Sequence, residues 1–331
     1  MTVSVTTRNP NTGFPISVAM LKENGRLLPS RNGDCLEYPE PVSFTFTHPL
    51  ERVLSHPTRR INVFLHYFEP FWILAGRNDV DYLAQFTENF RNYSDDGQTF
   101  AAAYGHRLRY PRDQILGAIS RLQTNPDDRQ VVLQIRTPEE MFYRGKDTAC
   151  NISAALKVRD GQLNMHVFNR SNDAVWGGPA GGTNHPQFTT LLEYIAGHVG
   201  IAAGNYTVTT DSMHVYVNEQ WEKVKDTLDF KDDPYRLMDH QPVQMMAEPA
   251  LFDTDLFRFF SYDKPGRPLG GFSSAYFNTV FEPMLACFES YKAKDGCEWE
   301  LVDKIGATDW RNAVADFFAG IPRLAERLGD P

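Results

Sequence analysis

The chain has 331 residues, 42% of them apolar and 13% aromatic, which is enough for a substantial core. A formal net charge of −9 without a basic tail argues against non-specific nucleic-acid binding, so an anionic ligand would need a local arginine cluster. Four cysteines with no CxxC spacing argue against a disulfide framework or a metal site, the N-terminus shows no charged-then-apolar leader, and no apolar run approaches the roughly 20 residues of a membrane helix; a cytoplasmic protein is expected.

Residues 1–50 are rich in Pro, Gly, Asn and Thr, with short alternating runs such as Val42-Ser43-Phe44-Thr45-Phe46, and read as loops and edge strands. Ser30-Arg31-Asn32-Gly33 is a turn that carries one arginine. Residues 61–76 are apolar at nearly every position, a buried helix interrupted by Glu69-Pro70. Pro70 removes a backbone donor and predicts a kink. Glu69 is either at an exposed edge or a buried acid of the kind that proton-transfer sites use. An amphipathic helix is expected from Asp79 to about Arg91, a structured turn at Tyr104-Gly105, a helix over 114–124, and a strand over 130–136 with Arg129 at its mouth.

The stretch from Asp147 to Pro186 organises the rest. Cys150 precedes a hairpin, Ile152–Val158 and Leu163–Phe168, across an Asp160-Gly161 turn. Arg170-Ser171-Asn172-Asp173 and a glycine-rich loop follow, then a helix over 185–199 with Asn184 at its N-cap. A long strand, Tyr206–Val217, puts His214 and Tyr216 on one face. Residues 219–229 read as helical, 230–275 as loop-rich, and 275–292 and 308–328 as closing helices. No repeat or linker divides the chain, so residues 1–331 are expected to form a single domain. Residue types alone leave Cys150 a reactive thiol beside an Arg-Ser anion site. They leave the pairing of Cys150 with His214 as a hydrolase open but unsupported.

From about Arg31 to Asn218 the chain resembles the thymidylate synthase family, including its pyrimidine nucleotide hydroxymethylases. Asn125-Pro126-Asp127-Asp128-Arg129 resembles the family's NPxSR segment, and Ala149-Cys150-Asn151 stands at its Pro-Cys-His. Asn169-Arg170-Ser171-Asn172-Asp173 resembles its QRSxD, Asp211-Ser212-Met213-His214-Val215-Tyr216 its GDxHIY, and Glu69 to Gly76 its ExxWxLxG. The resemblance implies an α+β fold, a large mixed β-sheet with flanking helices. It implies transfer of a one-carbon unit from 5,10-methylenetetrahydrofolate to C5 of a pyrimidine nucleoside 5′-monophosphate. Cys150 would add to C6 of the base, making C5 nucleophilic. Arg31, Arg129, Arg170 and Ser171 would bind the phosphate, with Arg129 reaching across a homodimer interface. Asn184 and Asp173 would read the base, His214 and Tyr216 hold the sugar, and Glu69 and Tyr104 move protons.

The one-carbon unit, once on the base, meets one of two fates: hydride gives methyl, as in thymidylate synthase, and water gives hydroxymethyl. Three departures favour water: Asn151 in place of the family's histidine, a loop over the base remodelled by Trp176, Gly177, Gly178, Gly181 and Gly182, and an end, Leu328-Gly329-Asp330-Pro331, unlike the short apolar tail with which the methylating enzymes exclude water. Asn184 leans towards uracil without excluding cytosine. The alternatives are a thymidylate synthase making dTMP and a nucleotide- or RNA-binding homologue without catalysis. Neither a metal nor a membrane partner is implied.

Overall fold

A computed structural model of the chain describes residues 2–56, 58–178, 182–226, 233–261 and 270–325. The strands are β1 (Val3–Thr7), β2 (Arg26–Leu28), β3 (Cys35–Glu37), β4 (Val42–Phe46), β5 (Val132–Gln134), β6 (Asn151–Arg159), β7 (Gln162–Asp173) and β8 (Ala202–Tyr216). They form one sheet in the order β1-β4-β8-β7-β6-β5, with β3 also on β8 and β2 on β3. β1 runs parallel to β4 and β7 parallel to β8, while the other pairs are antiparallel, so the sheet is mixed as expected. The hairpin from β6 to β7 turns at Asp160 and Gly161, both at positive φ (52° and 74°), as an Asp-Gly turn requires.

The helices are α1 (Pro10–Asn24), α2 (Val63–Leu74), α3 (Val80–Ala84), α4 (Tyr104–Arg109), α5 (Gln114–Thr124), α6 (Asn184–Val199), α7 (Glu219–Val224), α8 (Pro249–Ser261), α9 (Glu282–Ala293), α10 (Glu298–Val302), α11 (Thr308–Ala319) and α12 (Pro322–Ala325). Every residue of α2 is buried. Its aromatic side chains explain this: Phe64, Tyr67, Phe68 and Phe71 pack among Phe281, Phe288, Trp310 and Phe318. α2 also packs on α6, which lies over β7 and β8. Pro70 sits inside α2 and the helix runs through it. The tight surroundings hold the turn that the missing donor would loosen.

Five expectations change. The N-terminal region holds the 15-residue α1, started by an Asn9–Thr12 capping box and Pro10. The segment after Asp79 is a short α3 followed by a 3₁₀ turn, Glu88–Tyr93. The region read as loops after 230 contains α8, whose Phe252, Asp255, Leu256 and Phe259 form one buried stripe. Thr183, not Asn184, is the N-cap of α6, so the Asn184 side chain is released from capping. The final helix is broken at Gly320 into α11 and α12, and the end read from Leu328 to Pro331 lies outside the described residues, as does Gly181. Among the described residues no helix is long and apolar enough to cross a membrane, and no group of His, Cys, Asp and Glu could hold a metal ion.

Candidate active site

Cys150 is half-buried and immediately precedes β6, where its carbonyl accepts a 2.9 Å bond from the Arg170 amide of β7. The loop before it is held from below by Glu140. One carboxylate oxygen accepts from the Ala149 amide at 2.6 Å, the other from Arg107 at 2.7 Å and from the Thr137 amide at 3.0 Å. Burial alone would raise the Glu140 carboxyl, but these three donors outweigh it and hold it below its ordinary value. The thiol position is thereby fixed by a buried ion pair rather than by the hairpin alone.

Two cavities share Thr148, two residues before this cysteine, as a common wall. The first, about 510 Å³, is lined by Arg31, Arg136, Arg144 and Arg170 with Ser30 and Tyr216. Four guanidinium groups converge here in a chain of net charge −9. Arg170 points one edge at protein: Nε donates to the Ala149 carbonyl at 3.0 Å and Nη2 to Thr148. The Arg31 turn is tied to the floor of the cleft by Asn32, which donates to the Tyr216 hydroxyl at 3.2 Å. The His214 ring packs edge-on against Tyr216, 5.3 Å between centroids, as their spacing in the strand required. This arrangement suits a phosphate with its sugar alongside.

The second cavity, about 210 Å³, is lined by Glu69, Tyr104, Asn184 and Gln187 with an aromatic wall of Trp72, Phe90, Tyr93 and Phe100. Burial pushes the Glu69 carboxyl up to about 7, against a smaller opposing pull from Gln187. One Glu69 oxygen and the Gln187 carbonyl oxygen are buried without a hydrogen-bond partner. A flat ring carrying N–H groups would meet both the aromatic wall and these acceptors, so the chamber fits a reduced pterin. Burial raises the Tyr104 hydroxyl, with Cys150 and Glu69 adding to the effect and Asn151 opposing it. Tyr104, Cys150, Asn151 and Glu69 are therefore neighbours.

Asp173 ends β7 and accepts the amides of Val175 (2.8 Å) and Trp176 (3.0 Å) on one oxygen, while the other is buried and unpartnered. Burial raises its carboxyl despite these bonds and despite His214 and Arg59. The loop that follows closes on itself: Thr183 donates to the Trp176 carbonyl and Asn184 to that of Gly177, both at 3.1 Å. Asn184 is thereby placed at the chamber in spite of the long loop.

The structure thus brings Glu69, Tyr104 and Asn184 to one chamber, with Cys150 close enough to Tyr104 to act on it electrostatically, and Arg31, Arg170 and Tyr216 to the adjoining cleft. His214 stands behind Tyr216, and Ser171 is half-buried on β7 without lining the cleft. Arg129 is not brought in: it is exposed ahead of the edge strand β5 and lines neither cavity. Arg136, Arg144 and Gln187 were not singled out from sequence. Gln187 lies three residues after Asn184 on α6, a signal that required the helix to begin at Asn184.

The thymidylate synthase family model matches residues 42–264, and the chain belongs to this family. It is similar to the deoxyuridylate hydroxymethyltransferase of Pseudomonas phage M6, 36% identical over 95% of this chain and 93% of that protein. The protein of the same name from Bacillus phage SP01 is 36% identical over 63% of this chain and 57% of its own length. The crystal structure of thymidylate synthase from T4 phage shares the fold, with a TM-score of 0.56 and 21% identity over 66% of this chain and 81% of that one.

Proposed function

We propose that the chain is a methylenetetrahydrofolate-dependent hydroxymethyltransferase acting on deoxyuridine 5′-monophosphate. The observation that carries this reading is Cys150 beside Tyr104, in whose chamber an acid sits near neutrality and whose wall at Thr148 is shared with a four-arginine cleft. The name of the relative that matches nearly end to end supports the choice of uracil and of water. Arg31, Arg136, Arg144 and Arg170 hold the phosphate, and Tyr216 with His214 holds the sugar. Asn184 offers its donor and acceptor to O4 and N3–H of uracil, and Asp173 fixes the loop beneath the base. The Cys150 thiolate adds to C6, and Glu69 with Tyr104 handles the protons. Trp72, Phe90, Tyr93 and Phe100 would hold the folate, which would supply the one-carbon unit at the formaldehyde oxidation level.

The same reading makes the protein a homodimer of single-domain subunits in which Arg129 completes the phosphate site of the partner. One face of the sheet supports it. His166, Phe168, Thr207, Thr209, Ser43 and Thr45 alternate with the buried inner residues and stay partly exposed. Mass spectrometry of products from dUMP, UMP, dCMP and CMP with methylenetetrahydrofolate tests the assignment. Hydroxymethyl-dUMP is expected. A methyl product with stoichiometric dihydrofolate overturns it in favour of thymidylate synthesis. Cys150→Ser should abolish tritium release from C5-labelled dUMP while still binding the nucleotide. Release that persists removes Cys150 from its role.

A further inference from the structure

Immediately after Cys150 the inner face of the sheet changes character. Two neighbouring rows across β6, β7 and β8 are apolar: Leu156–Met165–Tyr206 and Ala154–Val167–Val208. The next row is Asn151–Asn169–Thr210, with exposures of 0%, 3% and 0%. Asn151 and Asn169 lie directly opposite one another, yet neither amide bonds to the other. Neither Asn169 amide atom has a hydrogen-bond partner, and the Asn151 amide has no well-formed hydrogen bond, although the Tyr104 hydroxyl lies near enough to interact with it. Orphaned amides at this density mark a place where something polar is meant to pair with them. The Tyr104 hydroxyl stands beside Asn151, with Cys150 and Glu69 close enough to act on it electrostatically.

We propose that Asn151 and Asn169 are positioning residues that hold between them the water consumed in the reaction. This rests on the hydroxymethyltransferase reading above. Two amides present two carbonyl acceptors and two NH₂ donors, the complement of a water molecule, which is buried in proteins with about three bonds. A water held there is next to Cys150, and so next to the base that Cys150 attacks. The water oxygen bonds to the exocyclic methylene carbon, and the methylene π electrons pass into the ring as the C4 enolate. The water proton goes to the Glu69 carboxylate through the Tyr104 hydroxyl. The enolate then collapses, C5=C6 reforms, and the C6–S bond breaks to return the Cys150 thiolate. No oxidant or reductant is needed. A histidine in place of Asn151 would fill this space with a ring whose two nitrogens point apart, where the amide sets its acceptor and donor side by side.

The test uses the full chain with C5-tritiated dUMP, methylenetetrahydrofolate and 2-mercaptoethanol as a competing nucleophile. Tritium release counts every methylene formed, whatever its fate. In the wild type, hydroxymethyl product is expected to match tritium released. In Asn151→Ala and Asn169→Ala the ratio is expected to fall roughly fivefold, the loss of one neutral hydrogen bond of about 1 kcal/mol, with the thioether of the thiol rising in its place. A merely structural role would lower both counts together and leave the ratio intact, and an unchanged ratio in both variants overturns the proposal. If the variants do not fold, a high-resolution crystal structure of the wild type decides. A water bonded to both amides is expected, and amides paired only with protein overturn it. A wild type that yields methyl product fails earlier, at the functional reading, and takes this proposal with it.

Discussion

Glu69 shows how one residue ties stability to chemistry. Burial raises its carboxyl from the ordinary 4.5 to about 7. A group whose folded value is raised contributes its stability in full below the unfolded value, and loses it as pH rises through the folded one. Glu69→Gln should therefore match the wild type in melting temperature near pH 4.5 and become relatively more stable above pH 7, by up to about 3 kcal/mol. The same variant should lose activity at every pH, because glutamine cannot carry the proton. Thermal melts at pH 4.5 and 8 check this, and a variant that loses stability at both values would mean the carboxyl is structural. At the cleft, Arg31→Ala and Arg136→Ala should each raise KM for the nucleotide roughly 10- to 100-fold, since a hydrogen bond to a charged group contributes about 1.5–3 kcal/mol. Their kcat should change far less, because the phosphate is remote from the reacting carbon. Steady-state kinetics on dUMP separate the two. Glu69 was legible in sequence because a carboxylate among Phe68, Phe71 and Trp72 violates the cost of burial. The Asn151–Asn169 pair was not, since only strand register shows what a polar side chain faces, and neither was Arg136, which reaches the cleft from the bend after β5.

Elements position these residues through backbone contact as much as through side chains. α4 crosses α2 so closely that a Cβ on Gly105 would lie 2.1 Å from the Ile73 carbonyl oxygen. That contact sets Tyr104 beside Glu69, four residues before Ile73 on α2. Gly105→Ala should push α4 away, lowering stability by about 1–3 kcal/mol as overpacking does and lowering kcat by more than the melting temperature predicts. Retained kcat in a destabilised variant would show that Tyr104 is placed by other contacts. The sequence revealed elements whose pattern was strong: α2 by its unbroken apolar run, and the β6–β7 hairpin by Asp160-Gly161. It concealed α1, where Asn11, Gly13 and Pro15 imitate a loop while Phe14, Val18 and Leu21 carry the buried face. It concealed α8 because its stripe of Phe252, Leu256 and Phe259 is set among breakers on both sides. In both helices, burial against the rest of the molecule overrides weak local propensity.

The whole molecule leaves one surface that a single chain does not explain. Across β5, β6, β7, β8, β4 and β1, the rows Val132–Ala155–His166–Thr207–Thr45–Thr6 and Gln134–Ser153–Phe168–Thr209–Ser43–Ser4 are small, polar or half-exposed. Phe168 is 37% and Val132 46% exposed there, beside an edge strand preceded by Arg129. In the proposed dimer this face meets its own copy, an isologous contact in which each Arg129 serves the other subunit. Phe168→Arg would set like charges against each other on that face. It should give a monomer by analytical ultracentrifugation, with activity lost although the thiol chamber is untouched. Complementation asks the question of Arg129 directly. At dUMP concentrations well below the KM of Arg129→Ala, that variant and Cys150→Ala should each be nearly inactive, but a hybrid dimer holds one site with an intact cysteine and its partner's intact arginine. Mixing the two after subunit exchange should restore roughly a quarter of the wild-type rate when subunits redistribute at random. If Arg129 acted within its own chain, no site in any hybrid would be complete, and the mixture would stay inactive at every ratio.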